Sequence, residues 1–137
     1  MRLVFDTNVL VSVLLTPGGT SDRAFRIAVA TGATLLYDAR MLAEYRAVLS
    51  RAKFRAAITP RMIEQLVSGI TEAGEKIDAL AADLDLPDPD DLPFLEVALT
   101  GRADALVTGN ARHFQPARGI VVVSPGRLLK LLAVEHD

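Results

Sequence analysis

Near its beginning the chain reads RLVFDTNVLVSVLL at residues 2–15. Residues 2–5 form a short, largely apolar run of the kind found in buried β-strands, and Asp6 interrupts it. Beyond Asp6, apolar side chains recur at Val9, Leu10 and Val13, which is the spacing of a helix. The segment therefore predicts a strand that leads directly into a helix, with a carboxylate at the junction.

The same alternation of strand and helix continues along the chain. Further strands are predicted at residues 34–37, 105–107 and 120–123, with a short edge strand at 76–80. Helices are predicted between them, most clearly over residues 39–50, where the apolar side chains share one face. Because the strands are continuously apolar, we expect a parallel sheet with helices on both faces, and hence an α/β protein. The length of 137 residues predicts one domain over residues 1–137.

The composition excludes several kinds of protein. There is no cysteine, which rules out disulfides, zinc–thiolate sites and thiol catalysis. No stretch reaches the roughly 18 uncharged apolar residues of a membrane span, and no signal peptide is recognisable, so we expect a cytoplasmic protein without a membrane partner. The net charge is −2, but cations dominate residues 40–61 and carboxylates residues 72–91. Such a molecule can hold a polyanion on one side and a metal ion on the other; solvated helix faces explain the same charges.

Carboxylates occur at three places that this topology predicts to be near the ligand-binding edge of the sheet. Asp6 ends the first strand, Glu44 lies beside the apolar face of helix 39–50, and three acids occur in the four residues 88–91. Each also has a structural explanation: Asp6 and one of the later acids as helix N-caps, and Glu44 as the ion-pair partner of Arg40. Three acids in four residues exceed what a cap requires, because unneutralised carboxylates repel one another.

Carboxylate oxygens in the absence of cysteine suit hard cations such as Mg²⁺ or Mn²⁺. A divalent ion in such a cleft can align a water, lower the pKa of that water and stabilise the charge that develops on a scissile phosphate. Asn110 follows another predicted strand and is either a helix N-cap or an acceptor for a metal-bound water. The sequence is compatible with one ion or with two.

In the order and spacing of these motifs, over nearly the whole chain, the sequence resembles a PIN domain. The motifs are the strand followed by Asp6-Thr7-Asn8, the helical Glu44, the acidic run 88–91 before FLEVA at 94–98, and LVTGN at 106–110. The resemblance implies a three-layer α/β/α sandwich with a central parallel sheet and Mg²⁺- or Mn²⁺-dependent endoribonuclease activity. It also implies the toxin of a toxin–antitoxin pair, distantly related to VapC-type toxins, with an antitoxin partner and a homodimeric state.

The resemblance further assigns roles to individual residues. It identifies Asp6, Glu44 and Asp91 as the metal-binding, catalytic acids, and Asn8, Thr108 and Asn110 as residues that orient carboxylates and waters around them. Asn110 stands where many PIN domains carry a fourth acid. Because an amide coordinates more weakly and carries no charge, this departure reduces the expected affinity for a second ion.

The basic stretch supplies candidate contacts to the substrate. Arg40, Arg46 and Arg51 are predicted to bind the RNA backbone, which positions a strand without reading its sequence. The alternative is a catalytically silent PIN-like module that binds RNA or protein. A haloacid-dehalogenase phosphatase fits less well, because that class needs an aspartate at the position of Asn8. The sequence does not distinguish RNA from DNA, nor name a target.

Overall fold

The computed structural model of the protein describes residues 1–114 and 119–136. The strands are β1 (Arg2–Phe5), β2 (Thr34–Tyr37), β3 (Gly74–Lys76), β4 (Ala105–Val107) and β5 (Val122–Val123). The helices are α1 (Thr7–Leu15), α2 (Thr20–Ala30), α3 (Ala39–Leu49), α4 (Pro60–Glu72), α5 (Leu92–Thr100) and α6 (Pro125–His136). Short 3₁₀ turns occupy Ala52–Phe54, Pro89–Asp91 and Ala111–Phe114. The strands and helices alternate as the sequence predicts.

The five strands form one parallel sheet in the order β3-β2-β1-β4-β5. In the central strand, Leu3 pairs with Leu35 of β2 on one side and with Ala105 of β4 on the other. Helices cover both faces of the sheet, which confirms the three-layer α/β/α sandwich. The strand order reverses between β1 and β4, and ligands of such sheets bind outside the carboxyl ends of the strands at that point.

The edge strand differs from the prediction. The sequence indicates a strand over residues 76–80, whereas β3 covers Gly74–Lys76 and pairs with β2. This strand lacks the buried apolar run expected of the others, because an edge strand can leave polar side chains in water. At the opposite edge, β5 is limited to Val122–Val123 of the predicted 120–123.

The core is aliphatic with a few aromatic rings. Leu3, Val4 and Phe5 of the central strand are buried, and the largest fully buried side chains include Tyr45 of α3 and Phe94 of α5. The Tyr45 and Phe94 rings pack against each other with centroids 6.0 Å apart. These contacts fix α3, which carries Glu44, and α5, which begins directly after Asp91, against each other.

A glycine at the start of β3 gives a direct test of the sheet edge. A Cβ added at Gly74 would clash with the carbonyl oxygens of Ile70 and Leu35, whereas a Cβ at Gly69 in α4 meets nothing within 4 Å. We expect Gly74→Ala to destabilise the protein by about 2 kcal/mol and Gly69→Ala to stabilise it by up to about 1 kcal/mol. Urea denaturation measures both. Equal stability of the two variants would contradict the close approach of β3 to β2.

Among the described residues, no helix is long and apolar enough to cross a bilayer.

Candidate active site

A polar cleft of about 190 Å³ opens at the carboxyl edge of the sheet, beyond β1. It is lined by Asp6, Thr7, Asn8, Glu44, Val48, Arg51, Asp88, Asp90, Asp91, Phe94 and His113. All three acids predicted to bind metal therefore face one cavity, although they are far apart in the sequence. Asn8, expected to orient its neighbours, also lies on the cleft wall.

Asp6 is held at the base of the cleft by β1 and β4. Its backbone N–H donates to the Val107 carbonyl (2.9 Å), and its Oδ2 accepts a hydrogen bond from the Thr108 hydroxyl (2.7 Å). The side chain does not cap α1, and the residue is only 4% exposed. Burial raises the pKa of the Asp6 carboxyl above its ordinary value of 3.8, whereas the Thr108 hydrogen bond acts in the opposite direction. Asp6 is therefore a fixed carboxylate that is costly to ionise without a cation.

Thr108 and Asn110 support Asp6 in different ways. The Thr108 hydroxyl donates to Asp6 and itself accepts the backbone N–H of Asn110 at 3.0 Å, so its orientation is determined. Asn110 is exposed and does not line the cleft. Thr108 and Asn110 are two of the three residues predicted to orient the acids; Thr108 contributes its side chain and Asn110 its backbone N–H.

Asp91 lies across the cleft at the start of α5. Its side chain is 14% exposed and makes no capping hydrogen bond to α5. The Oδ2 atom is buried and accepts no hydrogen bond, although His113 Nδ1 lies 3.3 Å away. Burial raises the pKa of Asp91 from 3.8 to about 6, and the charges of Asp6 and Asp88 add to the rise. Asp91 and Asp6 thus repel each other in the absence of a cation.

Glu44 reaches the same cleft from α3. It is half-buried beside Val48, in agreement with its predicted place at the margin of the apolar face. The next residue, Tyr45, is fully buried and its hydroxyl donates to the carbonyl of Phe5, the residue before Asp6. This hydrogen bond fixes the helix that carries Glu44 against the strand that carries Asp6.

Thr7 and Asp88 are among the cleft residues to which the sequence assigned no role. Thr7 is only 5% exposed, and its Oγ1 is buried without a hydrogen-bond partner. Asp88 lines the cleft, and its Oδ1 accepts the backbone N–H of Asp90 at 2.9 Å. In the sequence, the signal for Thr7 was its place in the motif Asp6-Thr7-Asn8. That its hydroxyl lacks a partner can be seen in the structure alone.

The chemistry of these side chains fits a divalent cation. The donors are carboxylate and hydroxyl oxygens, and two of them, Thr7 Oγ1 and Asp91 Oδ2, are buried without a hydrogen bond. The pKa values of Asp6 and Asp91 stay raised although His113 lowers both, so burial outweighs the charge that His113 offers. Within residues 1–114 and 119–136, no group of three His, Asp or Glu side chains is already arranged around a metal position. Mg²⁺ in proteins commonly uses one or two carboxylates and several waters, so a preformed cage is not required.

The three predicted RNA-binding arginines differ in their surroundings. The Arg40 guanidinium pairs with Asp38 (2.8 Å) and with buried Glu96 (2.7 Å), and Arg46 pairs with Glu64 (3.1 Å). Only Arg51 lines the acidic cleft. Because Arg40 and Arg46 are each neutralised by carboxylates, the prediction that they bind RNA is not supported by these contacts, whereas Arg51 remains available.

The fold and the cleft define an α/β protein with an acidic, oxygen-rich site at the carboxyl edge of a parallel sheet. The PIN domain family profile matches residues 2–112, and the chain therefore belongs to the PIN domain family. PIN domains are typically nucleases, and the family generally uses divalent metals.

A similar solved structure is that of VapBC2 from Rickettsia felis bound to a DNA fragment from their promoter. The TM-score is 0.61 at 16% sequence identity, and the match covers 90% of this chain and 98% of the matched chain. At this identity the likeness shows a shared fold. Comparison with curated proteins gave no match.

Proposed function

We propose that the protein is a divalent-metal-dependent endoribonuclease that hydrolyses RNA phosphodiester bonds, with Asp6, Glu44 and Asp91 as the metal-binding acids. The observation that carries this proposal is the buried Asp91 Oδ2, which has no hydrogen-bond partner and faces a cleft shared with Asp6 and Glu44. An oxygen in this position is costly to bury unless a cation is bound. Family membership supports the same conclusion.

Mg²⁺ or Mn²⁺ would supply a Lewis acid that stabilises phosphate charge and acidifies a water. Residues of the chain position the acids and contact the water and the phosphate. Thr108 keeps Asp6 in one orientation through a 2.7 Å hydrogen bond, and Tyr45 keeps α3 in contact with β1. Asn8 and the unpartnered Thr7 hydroxyl lie on the cleft wall, where they can hydrogen-bond to water or phosphate oxygens. Arg51 lies at the same wall and can bind a phosphate of the RNA backbone.

We further propose that the protein is the toxin of a toxin–antitoxin pair and acts in the cytoplasm, where its RNA substrate is found. Membership of the PIN domain family and the fold shared with a chain of VapBC2 support this proposal. An apolar hollow of about 270 Å³ between α1, α2 and α4, lined by Leu14, Phe25 and Met62 among others, is a candidate surface for an antitoxin.

The resemblance to PIN domains also supports a homodimer, which stays a proposal. The exposed large apolar side chains of the described residues are Leu15, Ile27, Val29, Leu80 and Val121. Met62 and Leu66 of α4 contribute further apolar surface to the hollow between α1, α2 and α4.

The second candidate function is a catalytically silent RNA- or protein-binding module, which the exposed Asn110 in place of a fourth acid favours. Thermal denaturation with increasing Mn²⁺ separates the two candidates. An ion bound in the cleft raises the melting temperature by mass action, whereas a silent module shows no change.

The decisive variant for the nuclease is Asp6→Asn. Asparagine retains the size of the side chain and can still accept the Thr108 hydrogen bond, but it removes the charge. We expect Mn²⁺-dependent cleavage of an RNA panel to fall by at least about 100-fold, because even residues that only support metal ligands commonly contribute 10- to 100-fold. The exposed Asp78, which does not line the cleft, provides the control Asp78→Asn, with activity unchanged. Undiminished cleavage by Asp6→Asn would overturn the assignment.

A further inference from the structure

The segment that follows α3 carries cations that, unlike the arginines of α3, form no ion pair with a described residue. Arg51, Lys53, Arg55 and Arg61 are exposed, and none of them forms an ion pair with a described residue. On α3 itself, Arg40 and Arg46 are both paired with carboxylates. The uncompensated positive charge therefore begins at Arg51, on the wall of the acidic cleft, and continues away from it toward the start of α4.

A hollow of about 380 Å³ lies within this basic segment. It is lined by Ser50, Arg55, Ile58, Thr59, Pro60 and Ile63. Its surface is mainly apolar, and a cation, Arg55, lies in its wall. The volume falls within the range of about 300–1,000 Å³ that is usual for small-ligand pockets. Ser50 lines the hollow and the next residue, Arg51, lines the cleft, so the linings of the two cavities are consecutive along the chain.

We propose that this hollow is a nucleobase subsite for the single-stranded RNA whose backbone enters the cleft, an inference that rests on the proposed nuclease function. Apolar walls with one guanidinium suit the flat face of an unpaired base, since bases stack on arginine planes and on apolar side chains. The unpaired cations Arg51, Lys53 and Arg61 supply the charge that a phosphate backbone needs on either side of that base. An apolar peptide would fill the hollow but would leave these cations without partners.

Fluorescence anisotropy of a labelled single-stranded RNA, recorded in EDTA so that no cleavage occurs, tests the subsite. Arg55→Ala should weaken binding by about 5-fold or more, the loss expected when one base-stacking contact is removed. Arg46→Ala is the matched control: it removes the same charge, but from a guanidinium held by Glu64, and binding should change by less than about 2-fold.

A second comparison separates a base subsite from a purely electrostatic surface. The wild type should bind an oligouridine several-fold more tightly than an abasic strand with the same number of phosphates. Ser50→Leu, which places an apolar side chain in the hollow without changing the charge and without an aromatic ring on which a base could stack, should reduce that preference. Equal binding of the two strands by the wild type, or wild-type binding by both Arg55→Ala and Ser50→Leu, would overturn the subsite.

Different experiments test the two proposals. If RNA binds with the expected base preference but Mn²⁺ produces no cleavage, the nuclease proposal fails and the subsite stands as an RNA-binding site. If RNA is cleaved while Arg55→Ala, Ser50→Leu and the wild type bind equally, the subsite alone fails.

Discussion

Replacing Asp91 by asparagine should abolish Mn²⁺-dependent RNA cleavage and, at the same time, stabilise the metal-free protein at pH 7.5. The carboxyl has a native pKa of about 6 against an ordinary value of 3.8, because it is buried and faces Asp6 and Asp88. Ionising it in the folded protein therefore costs on the order of 2–3 kcal/mol relative to the unfolded chain. Asparagine removes that cost, so the melting temperature of the metal-free variant should rise by roughly 7–10 °C.

The direction in which stability changes with pH is an independent test of the repulsion at Asp91. A raised native pKa means that the folded state binds the proton more tightly than the unfolded state. The resulting stabilisation is complete below about pH 4 and is lost as the pH rises through about 6. Asp22 shifts in the opposite direction, its pKa lowered chiefly by the backbone N–H of Gly18. Asp22 contributes equally to the wild type and to Asp91→Asn, so its effect cancels in the difference between their free energies of unfolding. We expect this difference to grow between pH 4 and pH 7.

Chemical denaturation at a series of pH values, without and with Mn²⁺, measures both effects. Mn²⁺ should stabilise the wild type and leave Asp91→Asn unchanged. The variant would then be the more stable protein without metal and the less stable one with saturating metal. A metal-free variant less stable than the wild type at pH 7.5 would contradict the repulsion between Asp91 and its neighbours.

Replacing Arg40 by alanine should destabilise the protein by about 2 kcal/mol. Arg40 Nη1 binds Glu96, whose side chain is 6% exposed, and its Nη2 binds Asp38, which is 11% exposed. Without the guanidinium these two buried carboxylates lose their counter-charge, a change that costs 3–5 kcal/mol in fully buried pairs. The value is smaller here, about 2 kcal/mol, because the Arg40 side chain is 48% exposed and water screens it.

Arg46→Ala provides the matched control for Arg40→Ala, since it removes an arginine from the same helix. Arg46 and its partner Glu64 are 48% and 60% exposed, so water screens the pair and its loss should leave the free energy of unfolding nearly unchanged. Urea denaturation compares the two. Arg40→Lys, which keeps the charge but cannot make both contacts as well, should fall between Arg40→Ala and the wild type. Equal stability of the two alanine variants would show that Arg40 does not stabilise the buried carboxylates.

The predictions for Asp91 and Arg40 are linked because Arg40 helps to hold the helices next to the metal-binding acids. Arg40 and Glu44 are one turn apart on α3, and Glu96 lies on α5, the helix that starts after Asp91. The Arg40–Glu96 ion pair therefore joins the helix that carries Glu44 to the helix that follows Asp91. We expect Arg40→Ala to weaken Mn²⁺ binding as well as folding, although Arg40 does not line the cleft.

Most of the fold could be predicted because its strands carry buried apolar runs. Leu3, Val4 and Phe5 of β1 and Ala105, Leu106 and Val107 of β4 are all buried, and their sequence pattern is clear. The edge strand β3 was placed two residues too late. Its position depends on Gly74, where the backbones of β2 and α4 leave no room for a side chain, and not on any apolar pattern.

The site could be predicted in outline, and its contacts could not. The topology brings Asp6 and Thr108 to one edge, and helical periodicity places Glu44 at a buried margin. That Arg40 contacts RNA stays a prediction, but the pattern of charges did not show that its guanidinium is held by Asp38 and Glu96. Its partner Glu96 is 56 residues away, a distance over which local patterns carry no information.

The strand order also determines when this site can form. Asp6 belongs to the central strand, yet the threonine that orients it is 102 residues further along the chain. During translation the ribosome therefore synthesises most of the polypeptide before β4 can emerge from the exit tunnel and pair with β1. A nascent chain cannot assemble its cleft until that late stage, so the proposed nuclease would not act on the messenger being read while the chain is only half made.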